Sequence, residues 1–230
     1  MLEYSARKNV GLAVGSIVAA ASIGAAMTVY ISPGILGRIS FSLCQIWMIG
    51  LPLMWFFWID GGKINLPLPK RKELLVGTLL GLLMFGIIIA IYWFFGQDWI
   101  DPIDVRNRAK QVGISSQTIY LVGSIYFTVV NSLLEEYIWR CFVYSKCEIL
   151  IPGKGAIFVA GLFFTLHHII GLAAYTNDWR VVMVASLGVF IAGSLWSLCY
   201  LHYRSIWSNY ISHALADFAI AIVGWQLLFG

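Results

Sequence analysis

Charge is what this chain lacks. Of its 230 residues only 11% are Asp, Glu, Lys or Arg, where soluble domains carry about 25%. Hydrophobic residues make up 60%, and the mean hydropathy is +0.83. Such a chain cannot cover a water-facing surface, which excludes a soluble enzyme and a disordered protein. Proline is scarce, at six, and cysteine at four, which excludes a collagen-like chain and a disulfide-framed secreted domain. Cys44, Cys141, Cys147 and Cys199 are scattered through apolar segments with no C-x-x-C spacing, so they read as small core residues. The net charge of +4 comes from cations in short loops between apolar runs, so no nucleic-acid partner is expected. Neither an internal repeat nor a low-complexity tract is present.

What remains is apolar sequence in long runs. Seven stretches stand out: 10–31, 39–59, 74–95, 118–144, 156–174, 181–203 and 206–229. Each is near the roughly 20 residues that a helix needs to cross a bilayer. The first exceeds the roughly 7–15 apolar residues of a signal peptide and is taken as an uncleaved span. The expected fold is all-α, a polytopic membrane bundle of about seven transmembrane helices, with 1–230 as one integral membrane domain and the lipid bilayer as its solvent. The polar segment from Gln97 to Gln117 is expected to hold a short helix starting near Asp101-Pro102, because Pro suits a first helical turn. With the N-terminus cytoplasmic, that side collects Arg7, Lys8, Lys63, Lys70, Arg71, Lys72, Lys146, Lys154 and Arg204. The other side collects Arg38, Arg106, Arg108, Lys110 and Arg180. The excess favours N-inside. The aromatic runs Trp55–Trp58 and Tyr92–Phe95 end spans and read as interface belts.

A few ionisable residues sit inside spans: Glu135, Glu136 and Arg140 in the fourth, His167 and His168 in the fifth, His213 and Asp217 in the seventh. Each costs roughly 2.5–3.5 kcal/mol at a bilayer centre on insertion scales, so such groups face the bundle interior and serve a function. Asn131 and Glu135, Glu136 and Arg140, and His213 and Asp217 are each four apart, on shared helical faces; Phe164 and His168 have the same spacing. By helical rise, Glu135 lies roughly 15 Å from the cytoplasmic end of its span, His168 roughly 18–21 Å and His213 roughly 10–12 Å. One cluster of Glu135, His168, His213 and Asp217 is therefore geometrically allowed. Structural readings compete. Arg140 can snorkel to the interface, and Glu136 can serve only to neutralise it. His167 and His168 are about 100° apart on a helix, so one of them is expected to be a packing residue.

A carboxylate beside an imidazole in a low-dielectric site can hold and deprotonate a water. A second histidine with a hydrogen-bond donor can stabilise an oxyanion. That set suits amide hydrolysis without a covalent intermediate. A serine or cysteine nucleophile paired with a base is not apparent, and H-E-x-x-H is absent. Glu135, His168, His213 and Asp217 are also ordinary zinc ligands; no tightly bound metal or other cofactor is expected.

Glu135-Glu136-Tyr137-Ile138-Trp139-Arg140 fits E-E-x-x-x-R, Phe164 to His168 fits F-x-x-x-H, and His213 to Asp217 nearly fits H-x-x-x-N. In this order, on late spans, they resemble the motifs of the CAAX prenyl endopeptidase and bacteriocin-processing (Abi) intramembrane protease family, over about Asn131 to Phe218 within the motif-bearing half, 118–229. The resemblance implies a glutamate-type intramembrane hydrolase with Glu135 as the base that activates water, His168 holding that water, His213 supporting the oxyanion, and Glu136 paired with Arg140 as support. Phe163 to His167 fits F-x-x-x-H as well. His168 is preferred, because in the family an aromatic pair precedes the histidine by five and four. Position 217 is Asp where the family often has Asn; an ionised carboxylate cannot donate a hydrogen bond, so Asp217 is protonated, orients His213 or binds a metal. The implied substrate is a lipid-anchored or membrane-associated peptide or protein. The implied location is a multi-pass protein of a bacterial inner (cell) membrane. The alternative is a non-catalytic membrane immunity or partner-binding protein of the same fold.

Overall fold

The computed structural model describes residues 2–32, 34–62, 68–114, 116–151 and 153–230. Lys63 of the charge tally lies outside the described residues. Seven helices are long and apolar enough to cross a membrane: α1 (Arg7–Ile31), α2 (Ile35–Ile59), α3 (Arg71–Trp99), α5 (Gln117–Leu150), α6 (Gly155–Tyr175), α7 (Trp179–Tyr203) and α8 (Trp207–Phe229). The short α4 (Pro102–Val112) lies between α3 and α5, where the sequence predicts it. The Asp101 side chain accepts from the Ile103 N–H at 2.8 Å, Pro102 fills the first turn, and Gly113 ends the helix at a φ of 99°, the left-handed geometry that glycine adopts freely.

The two ends of the bundle are tied differently. At the end holding the N-terminus, Arg7 donates to the carbonyls of Ile149 and Leu150. Lys146 pairs with Asp60 at 2.7 Å, Arg204 with Glu148 at 2.6 Å, and Ser205 donates to Glu73 at 3.0 Å. Glu148 beside it holds the Arg204 guanidinium above its usual range. At the opposite end, α4 lays its arginines on helix C-termini. Arg106 donates to the carbonyls of Leu227 and Gly230, and Arg108 to those of Ala174 and Val29. Cations suit these termini, where unpaired carbonyls carry partial negative charge.

The core is built from Val14 and Ile17 of α1, Ile138, Trp139 and Val143 of α5, Ala160 and Phe164 of α6, and Trp196 of α7. Without a hydrophobic driving force in lipid, spans associate through close packing of small residues. Gly77 and Gly81 of α3 lie against the backbone of α8 at Ser208 and Ser212, and Gly161 of α6 lies against Ser194 of α7. Buried Ser208, Asn209 and Ser212 are thus part of a packing seam, with their polar atoms satisfied inside it.

Three expectations are corrected. Trp55 and Tyr92 are buried rather than in interface belts: Trp55 packs edge-on against Phe142 with 5.9 Å between ring centroids and donates to Asp60. Lys146 is not a loop cation but a buried partner of Asp60 inside α5. The fourth span also continues past Tyr144 to Leu150, because its last two turns carry the contacts to Arg7 and Arg204.

Candidate active site

The site begins with an irregularity in α5. Two π-helical segments, Tyr126–Asn131 and Tyr137–Tyr144, flank the five α-helical residues Ser132–Glu136. Wide turns of this kind inside helices are frequent at functional sites. Between them lie both carboxylates. Asn131 donates to Glu135 Oε1 at 3.0 Å, which orients that carboxylate and leaves Oε2 free of it.

Glu136 is fully buried and has two partners on different helices. Its Oε2 is 3.3 Å from Arg140 Nε, and its Oε1 accepts from His213 Nδ1 at 2.8 Å. The sequence pairs Glu136 with Arg140 alone; in the fold Glu136 links Arg140 to the last span. Arg140 does not snorkel. It is 1% exposed, its guanidinium lies 4.7 Å from the Phe164 ring centroid and 5.1 Å from that of Trp196, and Nη2 reaches the Gly193 carbonyl.

With Nδ1 committed to Glu136, His213 presents Nε2 to two other carboxylates, Glu135 Oε2 and Asp217 Oδ2, each at 3.6 Å. Trp196 stacks on the imidazole with centroids 4.2 Å apart, and its indole N–H donates to Ser212 at 2.8 Å. The ring is therefore fixed in orientation and plane. Ser132, fully buried, donates to Asp217 Oδ2 at 2.7 Å.

On α6, His168 Nδ1 donates to the Phe164 carbonyl at 2.9 Å, which leaves Nε2 free to accept or to ligate. His167 lies beside it with ring centroids 4.1 Å apart and stacks on Trp139. A ligand atom from each of Glu135, His167 and His168 lies within 4.8 Å of the others. His167 thus packs on Trp139 and Phe164 while one of its ring nitrogens stays near Glu135 and His168. Two side chains long enough to lean can converge even from Cα positions about 100° apart.

Every residue singled out in the sequence is in or beside this one cluster: Asn131, Glu135, Glu136 and Arg140 from α5, Phe164, His167 and His168 from α6, and His213 and Asp217 from α8. Residues 117–219 match the family model described as type II CAAX prenyl endopeptidase Rce1-like. The matched stretch is a little under half of the chain, contains all nine of these residues, and supports the CAAX and Abi protease family for this protein. No curated protein and no solved structure matches the chain.

Sequence reasoning about CAAX-type motifs missed Ser132 and Trp196. Ser132 precedes Glu136 by four, a spacing that was there to be read; Trp196 carries no motif, and only the fold brings it onto His213. Beside the cluster, an apolar groove of about 380 Å³ runs between α5 and α8, lined by Tyr120, Thr128, Val129, Phe218, Ala221 and Trp225. A double-mutant cycle of Ser132→Ala with Asp217→Ala, read by unfolding in detergent, is expected to give a coupling of about 0.5–3 kcal/mol. Additive costs would mean that the hydroxyl does not hold Asp217.

Proposed function

We propose that this protein is an intramembrane endopeptidase that hydrolyses a peptide bond in a lipid-anchored or membrane-associated peptide or protein. A water lies between Glu135 and His168. Glu135 takes its proton as the water oxygen bonds to the scissile carbonyl carbon. With Glu136 on Nδ1 and the carboxylates of Glu135 and Asp217 3.6 Å from Nε2, His213 acts as an imidazolium that donates from both ring nitrogens; its Nε2–H faces the place where the carbonyl oxygen becomes an anion, and a fixed donor there acts without reorganisation. When the carbon–nitrogen bond breaks, the proton on Glu135 passes to the leaving amine. Asp217, Ser132, Glu136 and Trp196 hold His213; Asn131 holds Glu135.

The observation that carries this reading is that His213 and His168, from two other spans, both approach Glu135, with an outer partner for each. The apolar groove between α5 and α8 supports a substrate that approaches from the lipid. The Lys and Arg excess at the N-terminal end supports a cytoplasmic N-terminus, which puts the cluster within reach of cytoplasmic substrates in a bacterial cell membrane.

The test compares peptide termini in cells carrying the native protein or Glu135→Gln at matched levels. Specific termini should vanish in the variant and so name the cleaved bond. If two folded, inserted proteins give the same termini, hydrolysis by Glu135 is wrong, and the non-catalytic immunity or partner-binding reading replaces it.

A further inference from the structure

The two ends of the bundle differ in what their charges are left to do. At the end opposite the N-terminus, Arg106 and Arg108 are taken up by helix carbonyls and Arg180 by Asp178. At the N-terminal end it is the acids that are taken up: Asp60 by Lys146, Glu148 by Arg204, and buried Glu73 by Ser205. Lys8 of α1, Lys70, Arg71 and Lys72 at the start of α3, and Lys154 just before α6 are exposed there. None of the five forms an ion pair among the described residues, and the hydrolysis described above uses none of them. The face they make is cationic, and the acids beside it are already satisfied inside the bundle.

What lies beneath the cations names the partner. Lys8 is followed four residues on by Leu12, Arg71 by Leu75 and Lys154 by Phe158, and all three apolar side chains are exposed. Residues four apart share a helix face. On each of three spans an unpaired cation therefore stands one turn outside an exposed hydrophobic side chain. On α3 and α6 the exposed apolar row continues inward through Leu79 and Leu162. A soluble acidic peptide would meet the cations and leave that row uncovered. A phospholipid meets both, with its headgroup on the cation and an acyl chain along the row below. We propose that the N-terminal ends of α1, α3 and α6 bind phospholipids with anionic headgroups, of the phosphatidylglycerol class. The consecutive cations Lys70, Arg71 and Lys72 make α3 the strongest of the three positions, because each Lys or Arg near an anionic headgroup favours it by about fivefold.

Binding is measurable with no substrate, so this proposal and the hydrolytic reading fail separately. Full-length protein in neutral detergent micelles is titrated with dioleoylphosphatidylglycerol or dioleoylphosphatidylcholine, and bound lipid is counted by native mass spectrometry. Phosphatidylglycerol is expected to bind at least about fivefold more tightly than phosphatidylcholine, with a preference that shrinks as salt is added. In the triple variant Arg71→Gln, Lys72→Gln, Lys154→Gln the preference should fall by about tenfold or vanish, while phosphatidylcholine binds as before because the apolar rows are intact. Lys110→Gln removes an exposed cation at the opposite end and should keep the native preference. Equal affinity for the two lipids in the native protein overturns the proposal, as does a native preference in the folded triple variant or a lost preference in Lys110→Gln. Soluble oligoglutamate that displaces phosphatidylglycerol at equal charge concentration overturns it too, and assigns the face to acidic protein segments instead.

Discussion

Glu136→Ala is expected to cost about 3–5 kcal/mol of stability, the usual result of removing one partner from a buried ion pair, and to abolish hydrolysis. The stability loss has a simple source. Arg140 is 1% exposed and Glu136 is fully buried, so the guanidinium would keep its charge with no carboxylate beside it. Arg140 Nη1 already lacks a hydrogen-bond partner among the described residues, which leaves it little to fall back on. The loss of activity has a second source. Glu136 Oε1 is what holds His213 Nδ1; without it the ring loses the carboxylate that favours its charged form and aims Nε2. The two effects come apart in the paired replacement Glu136→Leu with Arg140→Met. Apolar residues of similar volume often replace a buried ion pair at no cost or with a gain, so unfolding in detergent should show most of the stability recovered while cleavage stays lost. Full activity in that double variant would reduce Glu136 to a counter-ion for Arg140.

Gly81→Val is expected to separate α3 from α8 and move the site with it. A Cβ at Gly81 would lie 2.8 Å from Ser212 Cα and 2.6 Å from Leu215 Cδ1, and one at Gly77 would lie 2.6 Å from the Ser208 carbonyl oxygen. Leu215 can turn aside, but the Ser212 Cα and the Ser208 carbonyl are backbone, which no rotamer change relieves. Overpacking costs about 1–3 kcal/mol, and here the strain falls beside His213, the residue after Ser212. Stability and cleavage should therefore drop together, although Gly81 touches no ionisable group of the cluster. Gly86 on the same helix is the control: a Cβ there meets nothing within 4 Å, and Gly86→Ala should stay within about 0.5 kcal/mol of the native protein. If Gly81→Val unfolds like Gly86→Ala and cleaves normally, the α3–α8 seam does not position His213.

The seven spans were legible because their signal is additive: some twenty apolar residues in a row identify a crossing whatever they pack against. Their ends were less so. Ser145 to Leu150 contains Lys146 and Glu148 and reads as loop, yet both charges are paired, with Asp60 and Arg204, and the helix continues through them. Within the site, four-residue spacing found the contacts internal to one helix, Asn131 with Glu135 and Glu136 with Arg140. It was blind to His213 with Glu136, which joins residues 77 apart in sequence, and to Trp196 on His213. Depth counted from helix ends was a weak guide. His213 lies near the start of α8 while Glu135 lies well inside α5, and they still meet at 3.6 Å.

The contacts made by α4 have a consequence for how this protein compares with its relatives. Arg106 and Arg108 reach α8, α6 and α1 only through main-chain carbonyls, at Leu227, Gly230, Ala174 and Val29. A carbonyl is the same on every residue, so the partners are free to change identity without breaking the tie. In an alignment of homologues these two arginines would stand without a covarying partner, and a contact map inferred from covariation would miss these four ties.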